Sequence, residues 1–205
     1  MRDVSGFETR PVFVVFEGRN GAGKSTLAKM FSSVNGAELL SSPPEITGYN
    51  LKRSNFDVEG VDLRDRFAYY MGGNRLISDY VKNNPLNSRI IVCDRYIDST
   101  IAYHTVMGVD QETIAEAVSL EFMIPDIIFF ITISDELERT ERMISRGVIS
   151  RTDMQEKDDE FLLAYLSYFS DDKKFIQVDT YAKTPEESLS EICDVFKSFQ
   201  FRREV

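Results

Sequence analysis

The chain has 205 residues, of which 42% are apolar and 28% charged; that suits one well-buried domain and not a disordered segment. Its net charge of −10, from 24 basic and 34 acidic residues, denies it the basic surface that gripping a nucleic-acid backbone requires, so no nucleic-acid partner is expected. The longest apolar runs, such as Ile127–Ile133, are too short to cross a bilayer, the first ten residues carry no apolar leader core, and two widely spaced cysteines, Cys93 and Cys193, fit reduced thiols better than a disulfide, so a cytoplasmic protein without a membrane partner is expected.

Pro11–Glu17 (PVFVVFE) reads as a strand buried on both faces, as in a parallel sheet. A Gly-rich turn follows, then a helix over Ser25–Ser33. Ala37–Leu40 is a short second strand, ended by Ser41-Ser42-Pro43-Pro44, which cannot continue a ladder. Asp62–Lys82 has the length and pattern of a helix, and Arg89–Cys93 is a third buried strand. Helices follow near Ser99–Met107 and over Asp110–Met123. Asp126–Ile133 is the fourth strand, Asp135–Arg146 a helix, Gly147–Asp153 a loop, Glu156–Phe169 a helix, and Lys174–Val178 the fifth strand. Pro185–Phe201 closes the chain as a helix with proline near its first turn. Such alternation predicts an α/β fold in three layers, a five-stranded parallel sheet with helices on both faces, as a single domain over residues 1–205.

Gly18-Arg19-Asn20-Gly21-Ala22-Gly23-Lys24-Ser25, with Thr26 after it, matches G-x-x-x-x-G-K-[ST] between a buried strand and a helix. The glycines let successive backbone N–H groups turn inward onto phosphates, and the helix adds its positive end. Lys24 can reach the β and γ phosphates, and the Ser25 hydroxyl can ligate Mg²⁺. A nucleoside triphosphate such as ATP is the expected ligand. Cys93-Asp94-Arg95-Tyr96 follows the third strand, and strand carboxyl ends form the ligand crevice of an open parallel sheet. Asp94 is thus a second Mg²⁺ ligand candidate, and Arg95 a bidentate contact for a phosphate of the other substrate. The alternative for this pair is a surface ion pair.

Phe16-Glu17-Gly18, the phosphate loop, Asp94-Arg95-Tyr96 with Ser99 and Ala102-Tyr103, and Pro125-Asp126 together resemble thymidylate kinases over nearly the whole chain. Deoxynucleoside kinases usually carry Glu-Arg-Ser after this strand, which makes a nucleoside acceptor the weaker reading. The resemblance implies a P-loop kinase fold in which ATP, with Mg²⁺, phosphorylates a pyrimidine nucleoside monophosphate, dTMP before UMP or CMP, in a homodimer. It also implies that Arg75 meets the base carbonyl, with Met71 in place of the usual stacking aromatic. Phe67, Tyr69 and Tyr70 offer other rings, with a place in the core as their alternative, and Ser99, Tyr103 and His104 line the acceptor site.

The sequence departs from the family at several points. Asn20 stands where the family usually has an acidic residue that contacts the sugar, so any hydroxyl contact there lacks charge assistance. Ser41-Ser42-Pro43-Pro44-Glu45 replaces a segment bearing an arginine, and Arg53 is the candidate substitute cation. These changes, with Gly73-Asn74, resemble the mitochondrial UMP–CMP kinase branch. They also keep open a kinase for a different small acceptor, or a slow nucleotide-binding switch.

Some family members carry a catalytic arginine inside the phosphate loop, where this chain has Gly21. The role then passes to a lid over about residues 142–155, which resembles the lid that closes over ATP. Arg146 and Arg151 are its catalytic candidates, with Lys24 and Arg95, and Arg142 contacts ATP. Arg19 is an additional cation in the loop. The alternative for the lid arginines is pairing with Glu138 and Glu141.

Overall fold

A strand apolar on both faces is stable only where both faces are covered, and Val12–Gly18 (β1) has that place. In the computed structural model, which describes residues 10–84, 88–147, 159–171 and 173–203, β1 lies at the middle of five parallel strands. The others are β2 (Glu38–Ser41), β3 (Ile90–Asp94), β4 (Ile127–Thr132) and β5 (Ile176–Asp179), in the order β2-β3-β1-β4-β5. Val14 of β1 sits opposite Val92 on one side and Ile127 on the other.

The alternation along β1 sends its side chains into two cores. Phe13 and Val15 join Ile77 and Val81 of α2 (Leu63–Lys82), Ala102 of α3 (Ile97–Val106), and Phe161 and Tyr165 of α6 (Asp159–Tyr168). Val14 and Phe16 join Leu27 and Phe31 of α1 (Lys24–Asn35) and Ile192 and Phe196 of α7 (Pro185–Arg203). The expected three layers result. Two further helices, α4 (Gln111–Val118) and α5 (Glu136–Ser145), complete the set among the described residues. Asp62, Asp110 and Asp135 cap α2, α4 and α5 by accepting backbone N–H bonds.

Two elements differ from the sequence reading. The helix expected to reach Met123 stops at Val118, because it buries no residue of its own. Beyond it the chain is fixed from outside: the Met123 N–H donates to Ser78 Oγ at 2.7 Å, and Lys82 Nζ donates to the Glu121 carbonyl at 2.6 Å. Pro125 also biases the residue before it toward extended backbone. Ile46–Asn55 forms a 3-10 segment that has no apolar period to announce it. Ring stacking holds this region to α2. Tyr49 lies parallel to Tyr69 at 4.9 Å, and Phe56 covers Tyr69 at 4.3 Å.

Both cysteines are free thiols, with Cys93 buried and Cys193 half-buried. Among the described residues no helix is long and apolar enough to cross a membrane.

Candidate active site

The phosphate loop joins the end of β1 to the start of α1, and its backbone needs glycine. Gly18, Gly21 and Gly23 have φ of +142°, +84° and +90°. A Cβ on Gly18 would come within 2.2 Å of the Ile131 carbonyl oxygen of β4. One on Gly21 would meet the Met143 side chain of α5 at 2.9 Å. The loop is thus a bare backbone cradle, pressed between the sheet and α5.

Lys24 is 6% exposed, and its ammonium contacts the Asp94 carboxylate at the end of β3 and Ser25 Oγ at 3.4 Å. Burial pushes the Asp94 carboxyl up, but Lys24, Ser25 and Arg95 beside it prevail and hold it below its ordinary range. A charged carboxylate beside a hydroxyl, at the floor of a phosphate cradle, is the hard-oxygen set that Mg²⁺ takes alongside phosphate oxygens. Among the described residues no group of three or more His, Cys, Asp or Glu side chains could hold a metal unaided.

Arg95 has a φ of +69°, a conformation that costs a side-chain-bearing residue about 1–3 kcal/mol. The strain persists because its neighbours are fixed. Its N–H donates to the Phe16 carbonyl at 2.9 Å. Glu17, fully buried, accepts from the Tyr96 N–H at 2.9 Å, the Ser99 N–H at 3.2 Å and the Ser99 hydroxyl. So held, Arg95 donates from Nη2 to Asn20 Oδ1 at 2.7 Å and from Nη1 to Ser99 Oγ at 3.0 Å.

Two clefts meet over this floor. The larger, about 870 Å³, runs from Lys24, Asp94 and Arg95 past Ser99 and Tyr103 to Arg53 and His104. The smaller, about 480 Å³, is lined by Arg19, Gly21, Gly23, Thr26 and Arg142. Asn20, Lys24, Ser25 and Arg146 line both. Gly18 and Ala22 serve as backbone: Gly18 pairs in the sheet, and the Ala22 carbonyl accepts from Thr180 Oγ1 at 3.0 Å.

The arginines of α5 are more firmly placed than their sequence suggests. Arg142 donates to Thr180 Oγ1 at 3.0 Å and to Glu138 at 2.5 Å, tying α5 to the loop after β5. Arg19 donates to Glu136 at 3.0 Å. Arg139, 1% exposed, pairs with Glu136 and donates to the Asn20 carbonyl at 3.0 Å, bracing the phosphate loop. Arg151 and most of the expected lid lie outside the described residues.

Three expected acceptor-site residues are placed elsewhere. Phe67 and Met71 are buried with Val109 in a small apolar cluster and do not line the cleft. Arg75 pairs with Asp79 at 3.1 Å and donates to the Glu121 carbonyl at 3.3 Å. The reason is helical phase. One residue of register is about 100° of rotation, and the cleft face of α2 carries Arg66 and Tyr70. Asn74, one turn on, is buried between Ser42 Oγ and Thr100 Oγ1 at 2.8 and 2.9 Å. Glu17 and Arg66 are therefore residues the sequence reading missed, while Tyr70, read there only as one of several rings, does line the cleft. A lone carboxylate in a doubly buried strand was the signal for Glu17, and the i, i+4 phase from Asn74 was the signal for Tyr70 and Arg66.

A family profile described as "Thymidylate kinase" matches residues 16–192. A probable thymidylate kinase of Methanococcus vannielii is 30% identical, covering 88% of this chain and 92% of its own. One of Methanocaldococcus jannaschii is 28% identical, covering 91% and 96%. In structure, the thymidylate kinase of Candida albicans superposes with a TM-score of 0.79 at 19% identity, over 95% of this chain and 94% of its own, a likeness of fold. None of these supports the likeness to the mitochondrial UMP–CMP kinase branch.

Proposed function

The chain belongs to the thymidylate kinase family, and on that premise we propose that it transfers the γ-phosphoryl group of ATP to dTMP, giving dTDP. The observation that carries the reading is the wall of Asn20, Lys24, Ser25 and Arg146 common to both clefts. ATP in the smaller cleft and the monophosphate in the larger one bring donor and acceptor phosphates together across that wall.

The work of the protein is positioning and neutralising charge. The inward backbone of Gly18–Ser25 and the positive end of α1 hold the β and γ phosphates of ATP. Lys24, now paired with Asp94, turns its ammonium to the γ-phosphoryl oxygens as charge develops there. Arg95 carries the acceptor phosphate and holds it in line, its guanidinium fixed in advance by Asn20 and Ser99. That phosphate is already anionic near neutral pH, so no general base is needed. Ser25 and Asp94 would hold Mg²⁺, which would supply neutralisation of phosphate charge. Arg146, with Arg151 of the lid, supplies the late-arriving cations that Gly21 cannot. At position 21 an arginine would collide with Met143 and Arg139. Arg142 and Arg19 line the ATP side, and Arg53, Ser99, Tyr103 and His104 the acceptor side. A cytoplasmic homodimer completes the proposal, and light scattering on the eluted protein reads the assembly.

The test is steady-state ADP formation from ATP and Mg²⁺ with dTMP, dUMP, UMP, CMP and dCMP. The highest kcat/KM is expected for dTMP. A higher value for UMP or CMP would replace the dTMP reading with the alternative that Asn20 and Ser41–Glu45 raised. No stimulation by any monophosphate would end it.

A further inference from the structure

Between the phosphate loop and α5 lies a charged cluster centred on Arg139, to which the transfer chemistry assigns no role. Arg139 is 1% exposed, and among the described residues neither it nor Glu136 lines a cleft. Its Nε donates to both Glu136 oxygens at 2.9 and 3.0 Å, and its Nη1 donates to the Asn20 carbonyl at 3.0 Å. Glu136 also accepts from Arg19 Nη1 at 3.0 Å. Burial raises the Glu136 carboxyl, but Arg139 and Arg19 prevail and hold it below its ordinary range, so it stays charged between the two guanidiniums at neutral pH. A buried guanidinium keeps its partners, because stranding it without them is costly. Arg139 is thus a fixed post, and what it holds is the backbone of the phosphate loop. Gly21 follows Asn20 with a φ of +84° and no side chain to limit its rotation, so the loop at this point depends on an outside brace.

Asn20 is held a second time, by its side chain. Its Oδ1 accepts from Arg95 Nη2 at 2.7 Å, while Arg95 Nη1 donates to Ser99 Oγ at 3.0 Å. One residue therefore has its main chain tied to α5 and its side chain tied to the arginine at the end of β3. Asn20 also lines both clefts. The carbonyl and the side chain share one Cα, so any drift of the loop at Asn20 carries Oδ1 with it and turns the guanidinium of Arg95. From Arg19 on the donor cleft the path runs through Glu136, Arg139 and Asn20 to Arg95 on the acceptor cleft, with no step longer than 3.0 Å.

We propose that Arg139 is a positioning residue for the acceptor phosphate: by fixing the Asn20 carbonyl it sets the side chain against which Arg95 is aligned. One helix, α5, then governs the donor cradle and the acceptor arginine together. The inference rests on the reading above in which Arg95 carries the phosphate of dTMP.

The experiment measures KM for dTMP, KM for ATP and kcat in the unaltered enzyme, in Arg139→Met, in Asn20→Ala and in the double variant. Methionine keeps an apolar stem beside Gly21 and removes the donors. Arg139→Met should raise the KM for dTMP roughly tenfold, as loss of one charge-assisted hydrogen bond does, with a fall in kcat as the acceptor phosphate leaves the line of attack. In the Asn20→Ala background the link to Arg95 is already gone, so the same substitution should move the KM for dTMP by less than about twofold. Its effect on the KM for ATP should persist in both backgrounds, because alanine keeps the carbonyl at position 20. A role confined to folding would carry both effects into both backgrounds. Glu136→Gln, at a half-exposed side chain, loosens Arg139 without emptying the core. It should show the same dependence on Asn20 at roughly threefold, and it decides the matter if Arg139→Met does not fold. An equal rise in the KM for dTMP with and without the Asn20 side chain, or no rise at all, would overturn the inference alone. Inactivity of the unaltered enzyme on every monophosphate would overturn the dTMP reading and the inference with it.

Discussion

The two clefts are built differently. The smaller is largely one continuous stretch, Arg19–Leu27, with α5 and the loop after β5 laid against it. The larger is assembled from distant pieces: the phosphate loop, the turn after β2, the 3-10 segment, α2, β3 and α3. A site that binds through backbone N–H groups needs a particular local fold and little else, so its sequence is short and rigid. A site that binds through side chains from several helices depends on the rotation of each one. The same chemistry can then be supplied by a different residue one position away.

That contrast can be attacked at three points, each weaker than the last. The strongest is the wall both clefts share. Lys24→Ala should lower kcat about 100- to 1,000-fold, as removal of a donor to the developing charge does elsewhere. It should also lower the melting temperature, since Asp94 loses its buried counter-charge. Steady-state kinetics with a thermal melt reads both, and a kcat near that of the unaltered enzyme would detach Lys24 from the chemistry.

The second point is the strut beneath the larger cleft. Burial, and then Asp98, push the Glu17 carboxyl from an ordinary 4.5 up to about 7. Between those values the folded protein keeps a proton that the unfolded chain has released. The stability this group contributes is therefore full below about 4.5 and is lost as pH rises through about 7. Glu17→Gln mimics the protonated form. Its melting temperature should stay level across that window, while that of the unaltered protein falls by a few degrees. Parallel melting curves would show that Glu17 is ionised throughout.

The smallest expected effect tests the phase of α2. Arg75→Ala removes a half-exposed pair with Asp79, so stability should change by less than about 1 kcal/mol and the KM for dTMP by less than about twofold. A sharp rise in that KM would turn the helix back to the register inferred from the family likeness.

The sheet and its helices were legible because apolar runs such as PVFVVFE and DIIFFITI can settle only between two covered faces. The phosphate loop was legible because Gly18, Gly21 and Gly23 need φ values open to few other residues. Asp94 and Arg95 followed from standing at the end of a buried strand. What escaped depended on contacts far along the chain. The 3-10 segment is held by Tyr69, and α4 ends at Val118 with no buried residue of its own. Likeness to a motif puts Arg75 at the base, whereas the helix face it shares with Met71 turns it away, and of the two places open to Phe67 the core is the one it takes, together with Met71. Arg139, whose role the sequence leaves open, braces the phosphate loop only because α5 is pressed against it.

The ring pile between the 3-10 segment and α2 has an optical consequence. The chain contains no tryptophan and nine tyrosines, so its near-ultraviolet circular dichroism comes chiefly from phenol chromophores. Tyr49 and Tyr69 lie 4.9 Å apart and within 6° of parallel, close enough for their transitions to couple. One tyrosine comes from the 3-10 segment and the other from α2, so the coupled band senses their relative placement. Any shift of the 3-10 segment against α2 can be followed in the unlabelled protein, at wavelengths where a tryptophan would have drowned it.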